Sequence, residues 1–159
     1  MISQTTEYAL RAMVHLATLE PGITINSENL AARTKVPQGY LSKILRDLVV
    51  ADLITSQRGP NGGFALARPA DDISMLEVVN AVDPIQRIRK CPLGNPAHLN
   101  LCPLHRRIDD AMDLIEQRFR ETKLSEVLEP ARRAGTCAGI AVPLTTPARP
   151  DANGRGRRG

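Results

Sequence analysis

Aromatic side chains are almost missing: the 159-residue chain has no Trp, two Tyr and two Phe. A core must therefore be built from Leu, Ile, Val and Ala, and the scarcity of rings argues against nucleic-acid binding on aromatic stacking platforms. No apolar run approaches the roughly 20 residues that span a bilayer. Glu7 and Arg11 interrupt the apolar residues near the N-terminus, so no signal peptide and no membrane association are expected, and the cytoplasm is the expected location. Three cysteines, an odd number, make no disulfide framework. Catalytic signatures are missing too: there is no close C-x-x-C, no G-x-S-x-G, no H-E-x-x-H and no Gly-rich loop opening a helix, so the chain is not expected to be an enzyme. With 42% apolar and 24% charged residues, one compact domain with an ordinary core is within reach.

The net charge of +4 is unevenly spread: residues 1–70 carry +2, 71–130 carry −3 and 131–159 carry +5. The last segment, rich in Gly, Pro, Ala and Arg without a period, accounts for more than the whole excess and reads as a disordered basic tail over 129–159. Within the first third, Arg33, Lys35, Lys43 and Arg46 follow one another with no acid between them. That local cluster marks a surface suited to a polyanion.

Periodicity predicts a helix over residues 3–19, ended by Pro21-Gly22, and a short second helix capped by Asn26 or Ser27. A third helix runs to about Ala51 with Pro37 in its first turn. Two short strands, Leu53–Gln57 and Phe64–Ala67, are joined by the turn RGPNGG. Ser74 caps a further helix that Pro84 ends, and a helix from Pro103 to about Leu124 carries Leu104, Ile108, Met112, Ile115 and Phe119 in one apolar stripe that wants a partner face. The expected fold is mainly α with a small β-wing: a winged helix-turn-helix domain over 1–83, a loop over 84–102 and a long C-terminal dimerisation helix over 103–128.

On the third helix Leu41, Ile44, Leu45 and Leu48 form the core stripe. The opposite side carries Gly39, Lys43 and Arg46, flanked by Tyr40, Ser42 and Asp47. Arg and Lys read guanine edges or neutralise phosphates, Ser donates to either, and Gln38 lies in the first turn, the end by which such helices enter a major groove. Arg58, together with the backbone of the turn through Asn61 and Gly62, is placed to reach the flanking backbone or minor groove. The candidate DNA-binding residues are Lys35, Gln38, Tyr40, Ser42, Lys43, Arg46, Arg58, Asn61 and Gly62.

Cys91 and Cys102 each precede Pro-Leu, and with His105 they give C-x10-C-x2-H, with His98 between. Thiolate and imidazole are ligands for zinc or iron–sulfur clusters. The same pair also reads as a redox couple, as a structural zinc site or as two inert thiols. Cys137, in the tail, has no ligand-like surroundings.

The stretches YALRAMVHLA, VPQGYLSKILRDLVVADLI and SQRGPNGGFALARPADDISMLEVVNAV are similar to the Rrf-two family of bacterial winged-helix regulators, over residues 1–125 or so. The resemblance implies a homodimeric transcriptional regulator, a repressor, on a pseudo-palindromic operator in double-stranded DNA. In the cluster-binding members three cysteines lie in this loop, with a fourth ligand from a following His or from an acid on the partner's first helix. Cys91, Cys102 and His105 match the first cysteine, the last cysteine and the His, while Glu7, directly before YALR, occupies the acidic position. Ala97 stands near the place of the middle cysteine. With that cysteine missing, the resemblance leaves a two-iron cluster in place of a four-iron one, held by Cys91, Cys102, His105 or His98, and Glu7 of the other chain, and responsive to redox state, iron or nitric oxide; the alternative is the same DNA-binding role with no cofactor and a thiol or small-molecule signal.

Overall fold

The computed structural model describes residues 2–60, 62–91 and 101–128. Among the described residues the main elements in chain order are α1 (Gln4–Ala17), α2 (Ser27–Thr34), α3 (Gln38–Val50), β1 (Ile54–Gln57), β2 (Gly63–Leu66), α4 (Met75–Val82) and α5 (Pro103–Glu121), with a short 3-10 helix, Ala70–Asp72, between β2 and α4. This is the mainly α fold with a small wing that the sequence predicts. Asn61, His98, Cys137 and the expected tail over 129–159 lie outside the described residues.

Caps set the helix starts. Ser3 accepts the Thr6 N–H at 3.2 Å, and Asn26 accepts that of Asn29 at 2.8 Å, leaving Ser27 as the first residue of α2. Pro37 sits one residue outside the first turn of α3. Its ψ of 133° is extended, and its carbonyl accepts from Tyr40 and Leu41. Ala9, Ala12, Met13 and Leu16 of α1 and the leucine stripe of α3 make one core with Leu30, Ile54 and Val78. The small residues at 9 and 12 let α3 and α4 approach α1 closely.

An isolated two-stranded hairpin is marginal in water. Here the wing gains a third rung, because Ile25, just ahead of α2, exchanges both backbone hydrogen bonds with Phe64, at 2.8 and 3.1 Å. Gly63 is required by this pairing, since a Cβ there would lie 2.5 Å from the Ile25 carbonyl group. The sequence reading contained the hairpin but not this rung.

Ser74 and Glu77 form a reciprocal capping box at α4, and Glu77 also takes a 2.6 Å hydrogen bond from Arg68. Burial works against the charged carboxylate, but the donors from Arg68 and Ser74 outweigh it and hold Glu77 down at about 2. His15 is buried with neither ring nitrogen hydrogen-bonded, and burial, then the charge of Arg33, push its pKa below the ordinary value. Both groups are depressed, so each contributes stability that is complete above its unfolded pKa and lost as pH falls through the folded one. The melting temperature is therefore expected to decline first below about pH 6.5, from His15, and again between about 4.5 and 2, from Glu77. A series of melts on wild type and His15→Leu checks this: the variant should lose the first stage only, and an unchanged first stage overturns the assignment to His15.

The C-terminal end of α5 does not project freely. Met75 donates to the Thr122 carbonyl at 2.9 Å and Leu124 to that of Ile73 at 3.0 Å, so the chain beyond α5 pairs with the entry to α4. Residues 124–128 are again helical and bury Leu124 and Leu128. The last part of the expected segment 103–128 thus lies against the first domain, because two leucines at i and i+4 find an apolar face there. Among the described residues no helix is long and apolar enough to cross a membrane.

Candidate nucleic-acid interface and metal-ligand site

The buried leucines of α3 turn its other side outward: Gln38, Gly39, Tyr40, Ser42, Lys43 and Arg46 are all exposed. Lys35 ends α2 in a left-handed conformation, φ 55°, which reverses the chain into α3 and leaves its side chain exposed. Arg46 approaches Asp47 at 3.7 Å while its side chain stays 72% exposed, a screened pairing that leaves the guanidinium available. Ser42 is already turned inward along the helix, donating to the Gln38 carbonyl at 3.0 Å.

Tyr40 is 60% exposed yet propped: its ring meets Tyr8 edge-on at 6.2 Å, and Gln4 donates to the Tyr8 hydroxyl at 3.0 Å. Arg11 lies over the Tyr8 ring, pairs with Glu7 and donates to the Thr34 carbonyl at 2.9 Å, closing the C-terminal end of α2. Tyr8 and Arg11 thereby position the start of α3. Sequence reasoning assigned neither a role, because nothing local places α1 beside that turn.

Arg58 is exposed at the end of β1. Gly62 differs from its expected use: its N–H donates to Gly59 at 2.9 Å within the wing turn and is spent there. A Cβ at 62 would stand 2.3 Å from the Gln57 carbonyl oxygen, so the glycine serves the turn. Between α3 and the wing runs a groove of about 340 Å³ in which Ser27 and Ser56 flank Ser42 and Arg46. Ser27 and Ser56 were not among the expected residues, and only the pairing of Ile25 with the wing brings them to this groove.

Cys102 caps α5 and His105 lies in its first turn. Cys91 comes alongside at the end of the preceding strap. The His105 Nδ1 is 3.2 Å from the Cys102 Sγ and 3.7 Å from the Cys91 Sγ, and all three donor atoms fall within 4.8 Å of one another. Glu7, the expected acidic ligand, stands outside this cluster in its own chain, paired with Arg11.

The strap is clamped one turn further along α5. Arg87 gives Asp109 two hydrogen bonds, at 2.7 and 2.8 Å, pairs with Asp113, and reaches Glu116 at 3.4 Å. The Ile88 N–H donates to Asp109 at 2.9 Å. The Arg87 hydrogen bond, helped by that of Ile88 and opposed by burial, holds Asp109 down at about 2, and Arg87 is pushed above its usual range. Acids at 109, 113 and 116 keep i, i+4, i+7 spacing on the flank of the apolar stripe, which places all three on one face toward Arg87.

The five apolar positions of α5 divide. Leu104 is 65% exposed and Ile108 and Ile115 are exposed too, while Met112, Ile115 and Phe119 border a cleft of about 270 Å³ shared with Ile2 and Val79 of the same chain. Leu114, outside the expected stripe, is exposed as well.

The model of the Rrf2 family, described as "Iron-dependent Transcriptional regulator", matches residues 2–130. An HTH-type transcriptional regulator so named in Mycobacterium tuberculosis, Rv1287, is 40% identical over 95 residues, which is 59% of each chain, so this chain matches less than two thirds of that relative's length. Among solved structures, Staphylococcus aureus CymR in its oxidized form is 26% identical with a TM-score of 0.64, over 81% of this chain and 96% of that one. The T. potens IscR structure, 22% identical with a TM-score of 0.70, covers 84% of this chain and 90% of its own, and shows the likeness of fold.

Proposed function

Because the chain belongs to the Rrf2 family of transcriptional regulators, we propose that it is a homodimeric, non-enzymatic repressor of a pseudo-palindromic operator in double-stranded DNA. The observation that carries this reading is the exposed face of α3, where Gly39, Lys43 and Arg46 stand opposite the buried stripe of Leu41, Ile44, Leu45 and Leu48, with Gln38 exposed in the first turn. Such a helix enters a major groove by its N-terminal end. In this reading Lys43 and Arg46 meet base edges or phosphates, Lys35 and Tyr40 meet the backbone beside them, and Arg58 reaches across from the wing. The exposed Leu104 and Ile108 of α5 contribute to pairing with the second copy, whose two-fold axis supplies the half-site geometry.

The loop over 84–102 is the proposed sensor. An iron–sulfur group there would supply a centre open to oxidation and to nitric oxide. A two-iron cluster takes two terminal ligands on each iron, and the described residues of one chain bring three, Cys91, Cys102 and His105, to a single point. The cluster reading therefore needs a fourth ligand, for which Glu7 of a second copy is the family-based candidate. A bound group acts on DNA affinity only to the extent that it favours one arrangement of the two recognition helices over the other, typically about 1–3 kcal/mol.

The test is capture of genomic duplex fragments by the purified chain, followed by affinity measurements at rising salt. Specific, two-fold sites whose affinity falls steeply with salt are expected. Failure to enrich any fragment, or sedimentation as a monomer at micromolar concentration, overturns the proposal.

A further inference from the structure

We infer that the groove between α3 and the wing is a phosphodiester subsite, in which Ser27 and Ser56 donate to one backbone phosphate that Arg46 neutralises. This deepens the proposed function and rests on its reading of α3 and the wing as facing a duplex.

The placement follows from the shape of the duplex. Neighbouring major and minor grooves are separated by one sugar–phosphate strand. A protein that puts α3 in the first and the wing with Arg58 in the second must take that strand between them. The space between them here is a groove of about 340 Å³. Its polar groups come from three separate elements: Ser27 opens α2, Arg46 lies on α3 and Ser56 on β1. The extra rung of the wing brings the two serines together. Ser56 stands opposite Phe64 in the hairpin, Phe64 exchanges hydrogen bonds with Ile25, and Ser27 follows two residues on.

The chemistry of the lining selects the ligand. Among the described residues no carboxylate lines the groove, and the Asp47 group that approaches Arg46 lies outside it. Neither the Ser27 nor the Ser56 hydroxyl has a hydrogen-bond partner among the described residues, so both protons are available to an acceptor. Ser42 borders the same groove, but its proton is already given to the Gln38 carbonyl. The same lining includes Val49, Val50 and Phe64, and Val50 is 78% exposed. A free anion would use the donors and leave those apolar groups wet. A nucleic-acid strand presents both parts, anionic oxygens and the apolar face of a sugar, and so matches hydroxyls, guanidinium and valines together.

The neutrality of serine gives the subsite a signature. Cationic contacts release counterions and steepen the salt dependence, whereas a hydroxyl releases none. Removing the hydroxyls therefore lowers affinity by the same factor at every salt concentration and, because no base is touched, for every sequence.

The experiment uses the full-length chain and a duplex enriched from genomic fragments. Ser27→Ala and Ser56→Ala should each weaken binding about tenfold, with the salt slope and the ranking of sequences unchanged. Arg46→Ala should in addition take about one unit from the slope. Thr55→Ala, whose side chain leaves β1 by the opposite face, should bind as wild type. Duplexes with a single methylphosphonate linkage, scanned along the site, locate the phosphate. One position per half-site should weaken the wild type about tenfold or more and the double serine variant much less. That comparison is made within each protein, so it holds whatever the stability of the variant. Three results overturn the inference: serine variants that bind as the wild type, a loss confined to particular sequences, or methylphosphonates that weaken the double variant as much as the wild type at every position. A chain that enriches no duplex refutes the regulator and the subsite together. A chain that binds its duplex with the serine variants unaffected refutes the subsite and leaves the regulator standing.

Discussion

Replacing Lys43 and Arg46 together by alanine is expected to reduce operator affinity by at least about thirtyfold, and by up to about twenty-thousandfold if both read bases. A bidentate or phosphate-neutralising contact contributes about 1–3 kcal/mol, so two that add lie near 2–6 kcal/mol. Both side chains are exposed on the side of α3 away from the core, so the melting temperature and the dimer should be unchanged. The salt dependence separates the roles. A residue that neutralises a phosphate takes about one unit from the slope of log affinity against log salt, while one that reads a base leaves the slope and relaxes sequence preference at one position. Affinity unchanged in the double variant would show that α3 does not face the duplex.

Leu124→Ala should be among the most damaging single changes to stability. The side chain is 0% exposed, in the same apolar core as α1 and α3. Truncating a buried leucine costs about 2–5 kcal/mol, the lost transfer energy plus the cavity left behind. Domains of this size are stable by about 5–15 kcal/mol in all, so a large part of the total is at stake. Leu114→Ala, at an exposed site on α5, should stay within about 0.5 kcal/mol. Denaturant unfolding of the two variants decides the matter: similar midpoints would mean that residues 122–128 do not dock on the first domain.

The parts of the fold that the sequence made legible are those set by neighbours along the chain. Asn26 and Ser74 announce their helices because an oxygen placed just ahead of a helix satisfies N–H groups that have no other partner. The leucine stripe of α3 and the strands about RGPNGG follow from the two side-chain periods. The cysteines and His105 were visible as ligands by type and spacing, and the structure brings them together.

What could not be read depends on which distant segments meet. No periodicity announces that Ile25 joins the wing, so the need for glycine at 63 was hidden in a run that looked like turn chemistry alone. Gly62 was read as offering its N–H outward, and it is the turn itself that consumes it. Nothing along the chain announces that Arg87 crosses to meet Asp109, Asp113 and Glu116. The apolar stripe of α5 is legible as a stripe, but not the cleft that part of it lines together with Ile2 and Val79 of its own chain.

The pairing of Ser74 with Lys123 joins the two ends of a circuit of about fifty residues that contains α4, the strap, the ligand loop and α5. A chain segment held at one end relieves a local displacement by fraying at the other. A closed circuit narrows that outlet, so a shift of Cys91 relative to Cys102 would draw on a tilt of α5 about its pinned end. That helix is 19 residues, about 28 Å, long. Pivoting about the pinned end, a tilt of a few degrees moves the end that carries Cys102 and His105 by more than an ångström. In a symmetric pair the displacement appears twice with opposite sense, against half-sites set about 34 Å apart by the pitch of the duplex. In the proposed regulator the circuit would turn a change in bonding at three side chains into a change in the distance between two hands on a ruler.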